Sequence, residues 1–169
     1  MVSCLKRVVA IFFLFAFPHI FSSCKEAKNS LWEDQSKVLS ESLTFESEYM
    51  AILNQHRLTL SLKPLIYESS LRYLSLKHSE AMAAGEIPFG HTGFSKRCQE
   101  AKVLVGGGNL CAENVAMGQK SPQTVFAAWL GSSGHRANIE QSRFTHTGIS
   151  YKRGINGNIY WTQIFIEKD

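Results

Sequence analysis

The sequence lacks the features that mark several common functional classes. Its 18 Lys and Arg residues only slightly outnumber its 14 Asp and Glu residues, and no basic run with interleaved aromatics occurs. Composition therefore gives no indication of a nucleic-acid partner. The four cysteines include no Cys-x-x-Cys pair, the spacing typical of structural zinc sites. The glycine triplet at 106–108 is not followed by Gly-Lys-Ser/Thr, which argues against a phosphate-binding loop.

The first 23 residues have the composition of a secretory signal peptide. Lys6 and Arg7 precede the hydrophobic run 8–17, which is too short to span a bilayer. Two serines then stand directly before Cys24, and this junction resembles a bacterial lipobox with Phe21 in place of the usual leucine. We therefore predict cleavage before Cys24 and lipidation of Cys24. An ordinary signal peptide with secretion, or an uncleaved anchor, are the alternatives.

The rest of the chain divides into a tether and one domain. Residues 24–41 are polar with little periodicity and suit a tether, whereas 42–169 has the length of a single domain. With Cys4 in the signal peptide and Cys24 assigned to the lipid, Cys98 and Cys111 remain as a pair in a compartment that permits disulfides. A disulfide of this loop size contributes about 3 kcal/mol in the chain-entropy model. Metal binding by the pair is the alternative.

Local patterns predict helices followed by a hairpin. Apolar residues recur at helical spacing from Phe45 to Leu60, and a second helix runs from a cap at Ser69 or Ser70 to Gly85. A third helix begins at the capping residue Ser121, with Pro122 at its first position. The β-rich stretches 147–151 and 158–166 flank an Asn-Gly turn. These elements predict an α+β domain with helices covering the sheet.

The segment Trp129–Ile139 is a candidate site. The apolar stripe of the third helix stops at Gly131, and we expect the next three residues, 132–134, to form a small turn. The turn would deliver the imidazole of His135 beside the core residue Trp129. A histidine held there by backbone hydrogen bonds alone is an equally good interpretation.

Several motifs in order resemble the CAP superfamily (cysteine-rich secretory proteins, antigen 5 and pathogenesis-related 1 proteins), also called the SCP domain. The resemblance is strongest to its bacterial branch and covers Ser42–Ile166. It is carried by Leu53–Arg57, Leu62–Leu65, Gly90–Phe94, Ala112–Ala116, Trp129 with Gly134–Ile139, Phe144–Ile149 and Tyr160–Phe165. It implies a three-layer α-β-α sandwich with a central, mainly antiparallel sheet and a cleft on one side.

The resemblance also implies which residues line the cleft. Family members often place two histidines and two glutamates there, and several bind a divalent cation. His91, Glu113 and His135 match three of these positions, and Ser132 occupies the position of the second glutamate. His91 and His135 with one carboxylate could still hold Zn²⁺ or another divalent cation, with water as the fourth ligand. The missing carboxylate removes a candidate general base, and a buried hydrogen-bonded network is the alternative reading of the cluster.

The leading functional hypothesis is a lipid-anchored, extracytoplasmic binding or interaction module of a bacterial envelope, without enzymatic activity. Its partners would be the membrane and a lipid, a small apolar ligand or a protein, and Phe89, Phe94 and Met117 are candidates for an apolar groove beside the cleft. One alternative is a metal-assisted peptide or ester hydrolase with His91, Glu113 and His135 as catalytic candidates. A serine nucleophile at 132 or 133 lacks the G-x-S-x-G elbow. A structural or adhesion module with a vestigial cleft is the other alternative.

The lipid anchor can be tested by replacing the modified residue. Cys24→Ala removes the acceptor thiol, so we expect the protein to leave the membrane fraction, whereas the matched change Cys4→Ala within the signal peptide should leave it there. Membrane fractionation with immunodetection measures both. Continued sedimentation of the Cys24→Ala protein with membranes would disprove the anchor.

Overall fold

The computed structural model describes the backbone of residues 19–168. Most of the predicted signal peptide and the side chain of Cys24 lie outside the described residues, so cleavage and lipidation stay predictions. The chain separates into two compact units, of which the second starts at Leu39 and contains the sheet and the candidate site. The stretch 24–41, predicted as a tether, is helical in the structure. Within residues 19–168, no helix has the length and hydrophobicity needed to cross a bilayer.

Five helices and four strands make up the described residues. In chain order they are α1 (His19–Thr59), β1 (Ile66–Tyr67), α2 (Ser69–Ala84), α3 (Phe94–Leu104), β2 (Cys111–Met117), α4 (Pro122–Gly131), α5 (Ser133–Ile139), β3 (His146–Arg153) and β4 (Ile159–Ile166). The strands form one sheet in the order β1-β3-β4-β2. Only β1 pairs in parallel, with β3, and the pairs β3–β4 and β2–β4 are antiparallel.

The central strand β4 supplies side chains to both faces of the sheet. All eight of its residues are buried, and they alternate between two cores. Ile159, Trp161 and Phe165 pack with residues of α1, α4 and α5 on one face. Ile164 and Ile166 pack with α2 and α3 on the other face. This alternation buries both faces, and it confirms the predicted three-layer α-β-α sandwich with a mainly antiparallel sheet.

The predicted helix starts are partly right. Ser121 caps α4, and its hydroxyl accepts from the backbone N–H of Thr124, whose own side chain accepts from the N–H of Ser121. The N-cap of α2 is Glu68 and neither of the predicted serines, since its carboxylate accepts from both N–H and O–H of Ser70. A carboxylate suits this position because the N–H groups of a first turn attract negative charge.

The predicted turn after α4 is wrong. Ser132 alone breaks the helix with extended backbone angles, and Ser133 begins the short helix α5, which contains Gly134 and His135. The N–H of Arg136 donates to the carbonyl of Ser132, which starts the new helix immediately. His135 is therefore held on a helix and not at the end of a flexible loop.

Two polar residues of α1 hold the neighbouring chain. The amide of Asn54 both donates to and accepts from the backbone of Leu65, which fixes the approach to β1. Arg57 is fully buried and donates to the carbonyls of Lys63, Ile139 and Gln141. These bonds tie the end of α1 to the segment between α5 and β3.

Helix α2 lies unusually close to strand β3. Ser75 donates its hydroxyl to the carbonyl of Gly148, and Ser79 donates to the hydroxyl of Thr162 on β4. A Cβ atom added at Gly148 would overlap the backbone of Leu71 and Arg72. Because backbone atoms cannot rotate away, the contact between helix and sheet requires a residue without a side chain at position 148.

Gly148→Ala should destabilise the fold by about 3 kcal/mol, since it forces α2 off the sheet. Urea unfolding followed by circular dichroism measures the change. Gly134→Ala is the matched control. It lies in a helix with nothing within 4 Å of the new Cβ, so it should stabilise by about 0.5 kcal/mol. Equal stability of the two variants would contradict the close packing of α2 on β3.

Candidate functional site

A buried carboxylate marks the centre of the candidate site. Glu113 lies in the middle of β2 with only 1% of its side chain exposed. Arg97 of α3 binds it through two hydrogen bonds, from Nε to Oε2 at 2.7 Å and from Nη2 to Oε1 at 2.8 Å. A bidentate guanidinium–carboxylate pair is among the strongest hydrogen-bonded arrangements in proteins. It offsets the cost of burying the Glu113 charge.

Two histidines approach the same carboxylate. His91 donates from Nδ1 to Oε1 of Glu113 at 2.9 Å, while half of its side chain stays exposed. His78 is buried, donates from Nε2 to the carbonyl of Gly90, and has the same nitrogen 3.9 Å from Oε1 of Glu113. Burial lowers the pKa of His78, although the nearby Glu113 charge opposes this. We call His78, His91, Arg97 and Glu113 the Glu113 cluster.

The loop before α3 and a disulfide position the cluster. Gly93 takes a left-handed conformation with φ of 77°, which lets the chain turn from His91 into α3. Arg97 also donates from Nη1 to the carbonyl of Thr92, so the guanidinium closes this turn. The disulfide between Cys98 and Cys111 is present, as predicted, with Cα atoms 6.1 Å apart. It joins α3 to β2 directly beside the Arg97–Glu113 pair.

The other two predicted residues lie apart from the carboxylate. His135 packs beside Trp129, with ring centroids 6.4 Å apart, and lies near enough to His91 for their charges to interact. Burial, and then the His91 charge, lower the pKa of His135. Ser132 is the junction between α4 and α5. Among the described residues it makes no hydrogen bond to His135 or Glu113, so the triad with a serine nucleophile has no support in the geometry.

The Trp129–Ile139 segment caps the outer edge of β2. Trp129 donates its indole N–H to the carbonyl of Val115 at 3.1 Å. Asn138 donates to Oδ1 of Asn114 at 2.8 Å and to the carbonyl of Glu113 at 3.4 Å. Asn114 in turn donates to the carbonyl of His135 at 3.2 Å. An edge strand needs such partners, because its outward backbone groups otherwise remain open to other chains.

The donor set fits a metal ion poorly. Within residues 19–168, no group of three His, Cys, Asp or Glu side chains is arranged to hold one. Both oxygens of Glu113 already accept from the Arg97 guanidinium, and a fixed cation at that position opposes a second one. A cation on His91 and His135 therefore stays a prediction, and Glu113 is not placed to complete its coordination.

A cavity of about 360 Å³ opens beside the cluster, between α2, α3 and the loop that joins them. Its lining combines apolar and basic side chains, namely Tyr73, Leu74, Lys77, His78, Ala81, Ile87, Thr92, Gly93, Lys96, Arg97 and Glu100. The predicted groove residues Phe89, Phe94 and Met117 are not among them. Phe89 and Met117 are instead exposed around Tyr160. A second cavity of about 400 Å³ lies between α2 and the β3–β4 hairpin.

Sequence reasoning missed two members of the cluster. Arg97 gave no signal, because its partner Glu113 is 16 residues away and no local spacing connects them. His78 lies on the apolar face of α2, and this position in the sequence indicates only a structural core residue. It is indeed buried, but it also contacts the loop and the carboxylate. The apolar face alone could not reveal this second contact.

Removing Arg97 tests how much the Arg97–Glu113 pair contributes to the stability of the fold. Arg97→Met removes both hydrogen bonds of the guanidinium and its charge and leaves the bond from His91 to the Glu113 carboxylate, so we expect a loss of about 3 kcal/mol in the free energy of unfolding. Adding Glu113→Gln should recover part of that loss. Arg143→Met is the matched control, since it breaks an exposed pair with Glu167 and should change little. Additive single losses in the double variant would show that the pair is uncoupled.

Comparison with known proteins identifies the domain. The profile of the CAP family (Cysteine-rich secretory protein family) matches residues 50–165. The uncharacterized protein YkwD of Bacillus subtilis is 32% identical over 126 residues, which cover 73% of this chain and 48% of that protein. The chain therefore spans about half the length of this curated relative.

Solved structures agree in fold. An extracellular protein containing an SCP domain from Bacillus anthracis superposes with a TM-score of 0.63 at 26% identity, over 75% of this chain and 41% of the other. An outer surface protein from Borrelia burgdorferi superposes with a TM-score of 0.59 at 19% identity, over 71% and 90%. With the fold and the ordered motifs, these matches show that the chain belongs to the CAP superfamily and carries a bacterial-type SCP domain.

Proposed function

We propose that this protein is an extracytoplasmic, lipid-anchored CAP domain that binds a small apolar ligand with an acidic end. The observation that carries the proposal is the cavity of about 360 Å³ beside the Glu113 cluster. Its size lies in the range of small-molecule sites, which are mainly apolar with a few placed polar groups. The ligand would lie along α2 with its acidic end toward the basic rim.

The chemistry of the lining supports a ligand of this class. Leu74, Ala81 and Ile87 provide an apolar wall, and the small side chain of Ala81 leaves room there. Lys77 and Lys96 provide positive charge at the rim, against the single carboxylate of Glu100. Arg97 contributes little free charge, because Glu113 neutralises it. An acidic group therefore finds its partners in the two lysines.

The cluster favours binding over hydrolysis. A general base needs a lone pair directed at the substrate, and both oxygens of Glu113 accept from fixed donors. The role that fits these contacts is to hold the loop with His91 against β2, as one wall of the cavity. His78 adds a second hold through the carbonyl of Gly90. A rigid wall lowers the entropy cost of binding.

The proposed location rests on the sequence and on one relative. The basic and apolar start of the chain, followed by Ser-Ser-Cys24, supports export and a lipid anchor. The related protein from Bacillus anthracis is described as extracellular. A lipid on Cys24 would keep the domain at the outer face of the membrane across which the protein is exported.

Thermal unfolding with defined probes tests the binding site. Dodecanoate and dodecanol share an apolar chain and differ in the acidic end, so dodecanoate should stabilise the mature chain more. A ligand at one hundred times its dissociation constant adds about 2.7 kcal/mol. Ala81→Trp fills the cavity and should abolish the effect, whereas Ala84→Trp on the same helix lines only the other cavity and should not.

The same measurement separates the alternatives. No stabilisation by either probe would refute the binding proposal. Loss of stability on adding EDTA, restored by Zn²⁺, would favour the metal-dependent hydrolase, and ester or peptide cleavage would then be assayed on the His91→Ala and His135→Ala variants.

A further inference from the structure

Three large apolar side chains are exposed together at one end of the sheet. Phe89, Met117 and Ile155 are 47%, 40% and 105% exposed. The buried ring of Tyr160 connects them, because it lies 6.5 Å from the ring of Phe89 and directly opposite Met117 in the β2–β4 pairing. Its hydroxyl accepts from Asn156, the neighbour of Ile155. We call Phe89, Met117 and Ile155 the apolar tip.

Ile155 has no structural role that accounts for its type. It lies in the turn between β3 and β4, where the N–H of Gly157 donates to the carbonyl of Gly154. Turns of this kind favour Asn, Asp, Gly and Ser, which fit the backbone or hydrogen-bond to it. A branched apolar side chain that protrudes fully into water stabilises neither the turn nor the core. Together with Phe89 and Met117 it forms an exposed apolar patch, and such patches mark interaction sites.

Basic residues lie beside the apolar tip. Lys152 and Arg153 immediately precede the turn, and with Lys77 of α2 they line the cavity that Ile155 also borders. Two carboxylates share this face, Glu80 and Glu86, and Glu80 pairs with Lys152 at 3.3 Å. The face keeps an excess of one positive charge. Its partner should therefore be apolar at the centre and negatively charged around it.

We propose that the apolar tip docks on the surface of an anionic lipid bilayer. A bilayer interface combines negative headgroups with an apolar interior a few ångströms below, which is the pattern complementary to this face. The tip is convex, since Ile155 projects from a hairpin turn. A deformable lipid surface accepts a projecting side chain without a matching pocket, whereas a protein partner would have to supply one. The apolar tip lies outside the cavity between α2 and α3, so its docking does not depend on the proposed ligand.

A tryptophan at the tip tests the docking in the full-length chain. In the Ile155→Trp chain, vesicles in which half of the lipid is phosphatidylglycerol should shift the fluorescence of the new tryptophan to the blue. Brominated acyl chains should quench that fluorescence. The signal of the three native tryptophans is subtracted with the unsubstituted chain. Because the readout is local to residue 155, it does not depend on how the N-terminal residues contact the vesicle. Val103→Trp is the matched control. Val103 is 79% exposed and lies near the end of α3, whereas the loop that carries Phe89 precedes the start of that helix.

Charge variants test the lipid class. Changing Lys152 or Arg153 to Gln should weaken the docked state about fivefold for each residue, and phosphatidylcholine vesicles should give little quenching. Absence of quenching in the Ile155→Trp chain, or equal quenching in the Val103→Trp chain, would overturn the proposal. A blue shift that grows with protein concentration in the absence of lipid would overturn it as well, because the tip would then be a contact between proteins. Loss of dodecanoate binding with intact quenching would refute only the cavity ligand.

Discussion

The arrangement of one side of the sheet depends on the buried charge of Glu113. A carboxylate in the middle of a strand and out of water is stable only when it is paired and hydrogen-bonded. Arg97 supplies the pair from α3, and His91 supplies a further hydrogen bond from the preceding loop. One buried charge thus fixes both a helix and a loop against β2. The disulfide between Cys98 and Cys111 holds the same helix and strand covalently, so the wall of the neighbouring cavity is fixed in two independent ways.

The Trp129–Ile139 segment is diagnostic in the sequence for a reason that is mainly structural. Trp129 is buried and donates a hydrogen bond to the carbonyl of Val115. Asn138 donates to the side chain of Asn114 and to the carbonyl of Glu113. The segment therefore covers the edge of β2, the strand that carries Glu113. Changes there would act on the site indirectly, by releasing the strand. The backbone carbonyl of His135 accepts from Asn114 and so helps to cover the edge of β2. Its ring interacts with His91 through charge, which adds to burial in lowering the pKa of His135.

The sequence predicted those elements whose signals are local. The capping residue Ser121, the glycine after α2 and the Asn-Gly turn all lie within a few residues of what they specify, and the elements they bound are present. Helix α3 escaped prediction because Ala101 is its one fully buried residue, which leaves no apolar stripe. Strand β2 escaped because Glu113 and Asn114 are buried polar residues that interrupt the alternation. The family resemblance named His91 and Glu113, but the Arg97 pairing arises only from the packing of α3 on β2.

Serine at position 132 gives the junction between α4 and α5 a backbone role in place of an acidic one. A carboxylate there would have been a second acid near the histidines, free of Arg97. Ser132 instead serves the backbone, since its N–H donates to Trp129 and its carbonyl accepts from Arg136 at the junction of two helices. The charge of Glu113 is matched by a guanidinium and not shared with a second carboxylate, so no pair of acids with opposed protonation states is present in the described cluster. What the cluster offers is a half-exposed imidazole, held in a fixed orientation by Glu113 on a loop that is itself held against β2.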